Sequence, residues 1–514
     1  MEQLDINTGH HFNRIPLVRN QFDPSRHDIL SLNKGDSQPQ VNLETYGKGT
    51  SKEEQDFIRA ELKKIFSITK DQFKKDYHQL LQTGYDQDLL NKIIKAFELR
   101  DWGKDFPGAQ PVSFQQKDVY QLQQNKYIVC EKTDGLRYFL IETNKEEFFI
   151  VDRQFNIRKV KPRDCDFRQK KNTLIVNIFD GELVLDKFQQ DVPIYLVFDA
   201  MLVNGYSCMM QNFQQRLINA HNEVKRRIRE PQILRLQNTK NINSNGQVQA
   251  KNVVDIYMKD MFEVKYVQDI IQKIIPRLQH DNDGLIFTQD QCPYYPGTCQ
   301  EILKWKPKHL NSIDFVIKMI SCHRNSEYLW GLYTYTKDKM NPNIKQLQLF
   351  DFIFFEYHQS DPHDVNDNER MRALMQSQIG KPVVIECSWD EYYNHPHQLV
   401  CNKLKQEFTV LDNPNIDAIA QNFRFDILLR DQEKMKFRGG WRFLKHRSER
   451  VDPNATKSAK SVLNSIHNGL EQEDLIIICN DSQNDFNRGS DIKRKRSEDD
   501  NAENVRKQIE VEEY

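Results

Sequence analysis

A lysine side chain can attack phosphorus, but only as the free amine. The heptad Glu131-Lys132-Thr133-Asp134-Gly135-Leu136-Arg137 sets a lysine just beyond a β-type run, YIVC, with an acid and an arginine on the turn that follows. From a reference pKa of about 10.4, removing the ammonium proton at pH 7 costs roughly 4 to 5 kcal/mol. A nucleophilic lysine therefore needs neighbouring cations and partial loss of water. Arg137 is one such cation, and a guanidinium also holds phosphate oxygens. Taken alone, Lys-x-Asp-Gly is more often the solvated turn of a hairpin, so the choice between turn and nucleophile falls to the rest of the chain.

Downstream and in order stand DRQFNI (152–157), FDGELVLD (179–186), YLVFDAMLVNG (195–205), DGLIFT (283–288) and LKWKP (303–307). Singly, DGEL reads as a turn, FDAM as a core strand and KWKP as an exposed basic patch. Together, in this order over Lys132 to Pro307, they resemble the motif set of the covalent nucleotidyltransferases, which include DNA ligases, RNA ligases and capping guanylyltransferases. The flanking stretches FPGAQPVSF, YYPGTCQEILKWKP and HLNSIDF, and the closing run WRFLKHRSERVDPNA, are similar to messenger-RNA capping enzymes rather than ligases. The resemblance covers about Phe106 to Ile466.

That resemblance implies roles residue by residue. Lys132 is the expected nucleophile, and Arg137 a phosphate contact. Arg153 is expected on the ribose hydroxyls, Phe198 stacked on guanine and Lys259, in MKDMF, at the guanine edge. Glu182 and Asp283 are the expected ligands of Mg²⁺ or Mn²⁺, whose charge suits a departing pyrophosphate. Asp180 is expected either to hold the nucleotide or to shape its turn. Lys304 and Lys306 alternate along an apparent strand and should share a face, from which they would contact the α-phosphate. Arg447, Glu449 and Arg450 match a final motif usually written Arg-x-Asp-Lys/Arg, with Glu where Asp is expected; this motif aligns the leaving pyrophosphate. Outside the family match, the same residues read as a surface arginine, a core phenylalanine, solvated lysines and a charged helix start.

The implied reaction takes GTP as substrate and passes GMP through a lysine adduct to the 5′-diphosphate end of RNA. The first cysteine is Cys130, beside the lysine, so no thiol phosphatase is expected upstream of it; a separate RNA 5′-triphosphatase is the implied partner, together with the phosphorylated C-terminal tail of RNA polymerase II. The rivals are an ATP-dependent polynucleotide ligase and a non-catalytic transcription scaffold. Labelling by GTP excludes the first, and the intact set of lysines and acids argues against the second.

The elements that must position these groups follow from patterning. A chain of 514 residues exceeds what one core organises. Residues 1–50 read as an extended or disordered arm and 51–104 as a helical extension, which serves either for packing or for docking a partner. The fold class expected is α+β. A nucleotidyltransferase core of the ATP-grasp-like ligase and capping type spans 105–311, with helical periodicity at Asn212 to Arg229 and Val264 to Leu278. An OB-fold domain of strand-like runs spans 312–455, followed by a helix over 456–475 and a charged tail over 476–514. The 73 basic and 74 acidic residues nearly cancel, so any basic surface is local. Nine cysteines never form CxxC, and Cys322 beside His323 lacks a second pair at zinc spacing, which reads as scattered reduced thiols. No apolar leader or membrane-length stretch is present, and the basic run 493–496 reads as a nuclear-import signal.

Overall fold

The computed structural model describes residues 42–82, 86–98, 106–163, 165, 173–185, 187, 193–226, 252–323, 327–337, 344–353, 367–377, 381–391, 439–448 and 450–480. The expected arm up to residue 41, the basic run at 493–496, Glu449 and the side chains of Cys322 and His323 lie outside them. Two compact units divide the chain: Met1–Trp305 with Gln472–Tyr514, and Lys306–Glu471.

In the first unit, helix α1 (Lys52–Lys75) starts at a capping box, with the Ser51 and Glu54 side chains each bonded to the other's backbone. It buries Ile58, Leu62, Phe66 and Phe73 on one stripe, and α2 (Gln87–Glu98) buries Leu90, Ile93 and Phe97. These residues share a core with Phe139, Ile141, Phe149 and Val151 of the sheet. At about 1.5 to 3 kcal/mol for each side chain so buried, the helices are part of the core of the first unit rather than a separate extension.

The strands run β1 (Lys48–Gly49), β2 (Ala109–Ser113), β3 (Tyr127–Thr133), β4 (Leu136–Thr143), β5 (Phe148–Val151), β6 (Ile157–Pro162), β7 (Ile175–Val184), β8 (Ile194–Val203), β9 (Tyr206–Ser207), β10 (Val253–Met258), β11 (Phe262–Glu263), β12 (Asn282–Gln289) and β13 (Gly297–Trp305). One sheet is ordered β1-β6-β10-β8-β7-β4-β5, with β9 on β8, and β5 also pairs β6 so that the sheet closes on itself. The other is ordered β11-β3-β12-β13-β2. Alternation separates the faces of the first: Phe139 and Ile141 meet the helices, while Tyr138 and Leu140 join a second core with α3 (Phe213–Val224) and with Ile128 and Cys130 of the other sheet. The segment expected to be helical over Val264 to Leu278 is a chain of short pieces, 3₁₀ then α then π then 3₁₀. Pro276 is the cause at its far end, since it lacks the N–H that would continue the ladder.

In the second unit, β14 (Ser312–His323), β15 (Glu327–Lys337), β16 (Lys345–Ile353), β17 (Val384–Asp390) and β18 (Gly440–His446) form an antiparallel sheet ordered β16-β15-β14-β17-β18. Its two end strands meet through Trp441 Nε1, which donates to Asp351 Oδ2 at 2.8 Å with both residues buried. A meander of three strands, a fourth beside the first, and a closing fifth is the OB arrangement. Helix α4 (Asp367–Ser377), absent from the sequence reading, and α5 (Thr456–Asn468) supply Met371 and Ala459 to its core. No helix among the described residues is long and apolar enough to cross a membrane.

Candidate active site

Lys132 sits near the end of β3, and the next strand, β4, belongs to the other sheet, so Lys-Thr-Asp-Gly is a crossing between sheets and not a hairpin turn. Gly135 makes the crossing: a Cβ there would lie 2.6 Å from Val184 Cγ1 and 2.9 Å from the Leu183 carbonyl. The Lys132 ammonium, 25% exposed, pairs with Asp283 Oδ1. A β-bulge aims that carboxylate, because Asn282 pairs with Thr133 but Leu285 pairs with Glu131, leaving Asp283 and Gly284 to span one partner residue. Gly284 has φ +145°, which favours glycine. Asn282 Nδ2 donates to the carbonyls of Lys132 and Gly284, both at 2.9 Å, and so ties the nucleophile's strand to the bulge.

Glu131, the residue before Lys132 on β3, belongs to a buried charged cluster. Lys259 Nζ is 3.5 Å from Glu131 Oε1 and 3.4 Å from Glu182 Oε2. Burial alone would lower the Lys259 pKa, but the two carboxylates outweigh it and hold the ammonium above its usual range. Glu131 also accepts from Thr133 Oγ1 at 2.8 Å and lies 3.1 Å from His280 Nε2. Burial pushes its carboxyl up, yet Lys259, His280 and Thr133 together bring it down to about 2.

Arg137 and Asp180 form a buried bidentate pair, Nε to Oδ1 at 2.9 Å and Nη2 to Oδ2 at 2.6 Å. Arg137 Nη1 donates to the Ala109 carbonyl at 2.7 Å, and Tyr294 Oη donates to Asp180 Oδ2 at 2.6 Å. Asp180 lies within β7 rather than on a turn, and it is fully buried against Arg137. Phe198 is half-buried because of a second bulge: Asp180 pairs with Asp199 but Gly181 with Val197, so Phe198 is the extra residue of β8. The Arg137 guanidinium lies 5.4 Å and the Lys259 ammonium 5.7 Å from its ring centroid. Arg153 is exposed on the β5–β6 turn. Asp152 Oδ1 accepts from the Gln154 and Asn156 amides there, each at 2.8 Å, and Phe155 is buried at φ +63°. Arg59 of α1 donates to the Phe155 carbonyl at 3.2 Å.

Lys304 lies on β13, while Lys306 follows the strand's end at Trp305, so strand alternation does not extend to both lysines. Trp305 is buried as expected. In the second unit, Arg447 Nη1 reaches Glu386 Oε2 at 2.9 Å and Asp314 Oδ1 at 3.4 Å, and Arg450 pairs with Asp314 Oδ2. Ser312 and Lys445 also contact Glu386, and with Arg447 they hold its carboxyl below the usual range although burial opposes this.

Sequence reasoning missed Glu131, His280, Asn282 and Tyr294. Glu131 alone carried a signal, as a charge inside a β-run beside the lysine; it is buried on β3, where a charge needs partners.

The first unit thus brings together a lysine at the crossing of two sheets, a bulged aromatic ring near buried cations and partly exposed acids, and an OB barrel follows it in the chain. Family models for the mRNA capping enzyme catalytic domain and C-terminal domain match residues 58–308 and 310–476. The chain belongs to the mRNA capping enzyme family and is a guanylyltransferase of that family. It is 28% identical over 386 residues to the mRNA-capping enzyme subunit alpha of Schizosaccharomyces pombe, covering 72% of this chain and 79% of that protein. With the Saccharomyces cerevisiae subunit alpha it shares 28% over 429 residues, 78% of this chain and 84% of the other. With the mRNA-capping enzyme of Danio rerio it shares 31% over 230 residues, 44% of this chain and 36% of the longer relative.

Proposed function

We propose that Lys132 is the residue that takes GMP from GTP, and that the adduct is passed to the 5′-diphosphate end of RNA. The observation carrying this reading is the Lys132 side chain, partly exposed at the crossing of the two sheets and held by the bulge-aimed Asp283. As the free amine, Nζ forms the N–P bond while the bond from the α-phosphorus to pyrophosphate breaks. Lys304 and Lys306 draw charge from the phosphate oxygens. Phe198, with cations behind its ring, stacks on guanine, and Lys259 stands at the base edge. Arg153, on its braced turn, contacts the ribose. Arg137, fixed by Asp180, braces the wall beside Phe198, and Arg447 and Arg450 orient the departing pyrophosphate.

Glu182 and Asp283 are oxygen donors with 17% and 18% side-chain exposure, which fits a hard, partly hydrated cation such as Mg²⁺ or Mn²⁺. Such an ion supplies charge neutralisation for pyrophosphate. A separate RNA 5′-triphosphatase provides the diphosphate end, the phosphorylated polymerase tail recruits the chain, and the nucleus is where it works. Incubation with α-labelled GTP or ATP and a divalent cation, followed by denaturing electrophoresis, tests the reading. Label from GTP only, transferred on chase to diphosphate-ended but not triphosphate-ended RNA, is the expected result. Label from ATP only would make the chain a ligase.

A further inference from the structure

Away from these groups, Cys292, Cys299 and Glu301 bring three ligand atoms within 4.8 Å of one another. Both thiols are buried, at 1% and 0% exposure. The Sγ atoms are 3.5 Å apart, and Cys299 Sγ is 3.2 Å from Glu301 Oε2. With Zn–S near 2.3 Å and Zn–O near 2.0 Å, a tetrahedral ion has S···S and S···O edges of about 3.8 and 3.5 Å. These two spacings are within a few tenths of an ångström of those edges.

We propose that Cys292, Cys299 and Glu301 form a structural site for a thiophilic divalent cation of the zinc class, bound between the loop that leads into β13 and the first residues of that strand. Three independent features support it. First, a third bulge aims the carboxylate: Cys299 pairs with Pro111 and Leu303 with Val112, so Gln300, Glu301 and Ile302 are extra residues on β13. Second, Tyr295 donates its hydroxyl to Glu301 Oε2, as an outer partner orients a carboxylate ligand. Third, the charges balance. Two thiolates, a carboxylate and a dication sum to one negative charge, and Lys92 of α2 lies 3.4 Å from Glu301 Oε1 to cancel it. A buried ionic unit needs that neutrality. The loop is held at several points: Arg216 Nη1 donates to the Cys292 carbonyl at 2.7 Å, the Tyr294 amide to Met209 at 2.7 Å and the Gly297 amide to Gly108 at 3.2 Å.

Soft sulfur ligands separate this site from the oxygen site at Glu182 and Asp283. Binding here fixes the start of β13, the strand that carries Lys304. The cation binds by displacing two thiol protons to solvent, with no change in oxidation state.

The test is the metal content of the full chain purified without chelator, with cobalt substitution as the second readout. One zinc per chain and an intense thiolate-to-cobalt charge-transfer absorption are expected. Cys292→Ser and Cys299→Ser should each remove that absorption and reduce bound zinc to near zero, and Glu301→Gln should weaken retention against a chelator at least tenfold. A folded wild-type chain that takes up neither zinc nor cobalt, or that holds a Cys292–Cys299 disulfide when isolated anaerobically, overturns the proposal. Both wild-type readouts stand even if a serine variant fails to fold. Neither depends on GMP labelling, so failure here is distinguishable from failure of the Lys132 reading.

Discussion

The lysine cluster of the catalytic unit and the arginine cluster of the barrel use the same chemistry in different surroundings. Lys259 and Glu131 are 3% and 5% exposed in their side chains, whereas Arg447 and Arg450 are 24% and 40% exposed against a common, buried Asp314. In the first, each charge is locked to its partners because releasing either would strand an ion in a dry interior. In the second, water competes for the arginines, the pairs hold weakly, and trading Asp314 for a ligand oxygen costs little. Buried pairs hold one arrangement; half-wet pairs can exchange partners.

The sharpest way to break this contrast is at the nucleophile. Lys132→Ala and Lys132→Arg should both abolish protein–GMP formation, since neither offers a deprotonatable amine; the arginine still answers Asp283, so its melting temperature should stay near wild type. Residual labelling of the arginine variant would place the nucleophile elsewhere. Next in size, Glu131→Gln should cost on the order of 3 to 5 kcal/mol in denaturant unfolding, because it removes one partner of a buried pair. A loss below about 1 kcal/mol would show the cluster to be wetter than its burial implies.

Truncating either Arg447 or Arg450 to Ala should slow adduct formation by about two to three powers of ten, equivalent to roughly 2 to 4 kcal/mol. Chase of preformed adduct into diphosphate RNA should be nearly unchanged, because pyrophosphate has then left. Single-turnover measurement of both half-reactions checks this; equal loss in both would reduce the segment to a folded charged element. Acid sharpens the comparison further. The Glu131 carboxyl is depressed to about 2 in the folded chain against about 4.3 when unfolded, so its stabilisation is complete above the higher value and lost as pH falls through the lower. The gap in melting temperature between wild type and Glu131→Gln should therefore close between about pH 4 and pH 2. Smallest of all, Glu449→Asp should alter adduct formation only a few-fold if that acid merely positions an arginine.

The elements were more legible than their junctions. YIVC and FDAM announced β3 and β8 as apolar runs, and the ordered motifs pointed to the right family. The bulges at Phe198, at Asp283 and Gly284, and at Glu301 were invisible, because a bulge is defined by the partner strand's register rather than by its own sequence. For the same reason Lys-Thr-Asp-Gly resembled a hairpin: local residue types do not say that β3 and β4 join different sheets. The helix Asp367–Ser377 was hidden by a polar sequence that spends only a few residues, Met371 among them, on the barrel core. The three-ligand cluster escaped a search for CxxC, because its cysteines are seven residues apart and folding brings their sulfurs together.

Packing α1 and α2 against residues far along the chain also constrains how the protein is made. Ile58, Leu62 and Phe66 leave the ribosome well before Phe139 and Phe149, and longer still before Met201 and Cys299, all members of the same core. At typical elongation rates of 5 to 20 residues per second, the roughly 240 residues from Ile58 to Cys299 take about ten to fifty seconds to translate. Through that interval the nascent helices carry an apolar stripe whose covering core is incomplete, a substrate for chaperones that bind exposed hydrophobic segments. Slow decoding upstream of Cys299 would prolong that exposure, so synonymous codon changes there should alter the yield of folded enzyme although the amino-acid sequence is unchanged.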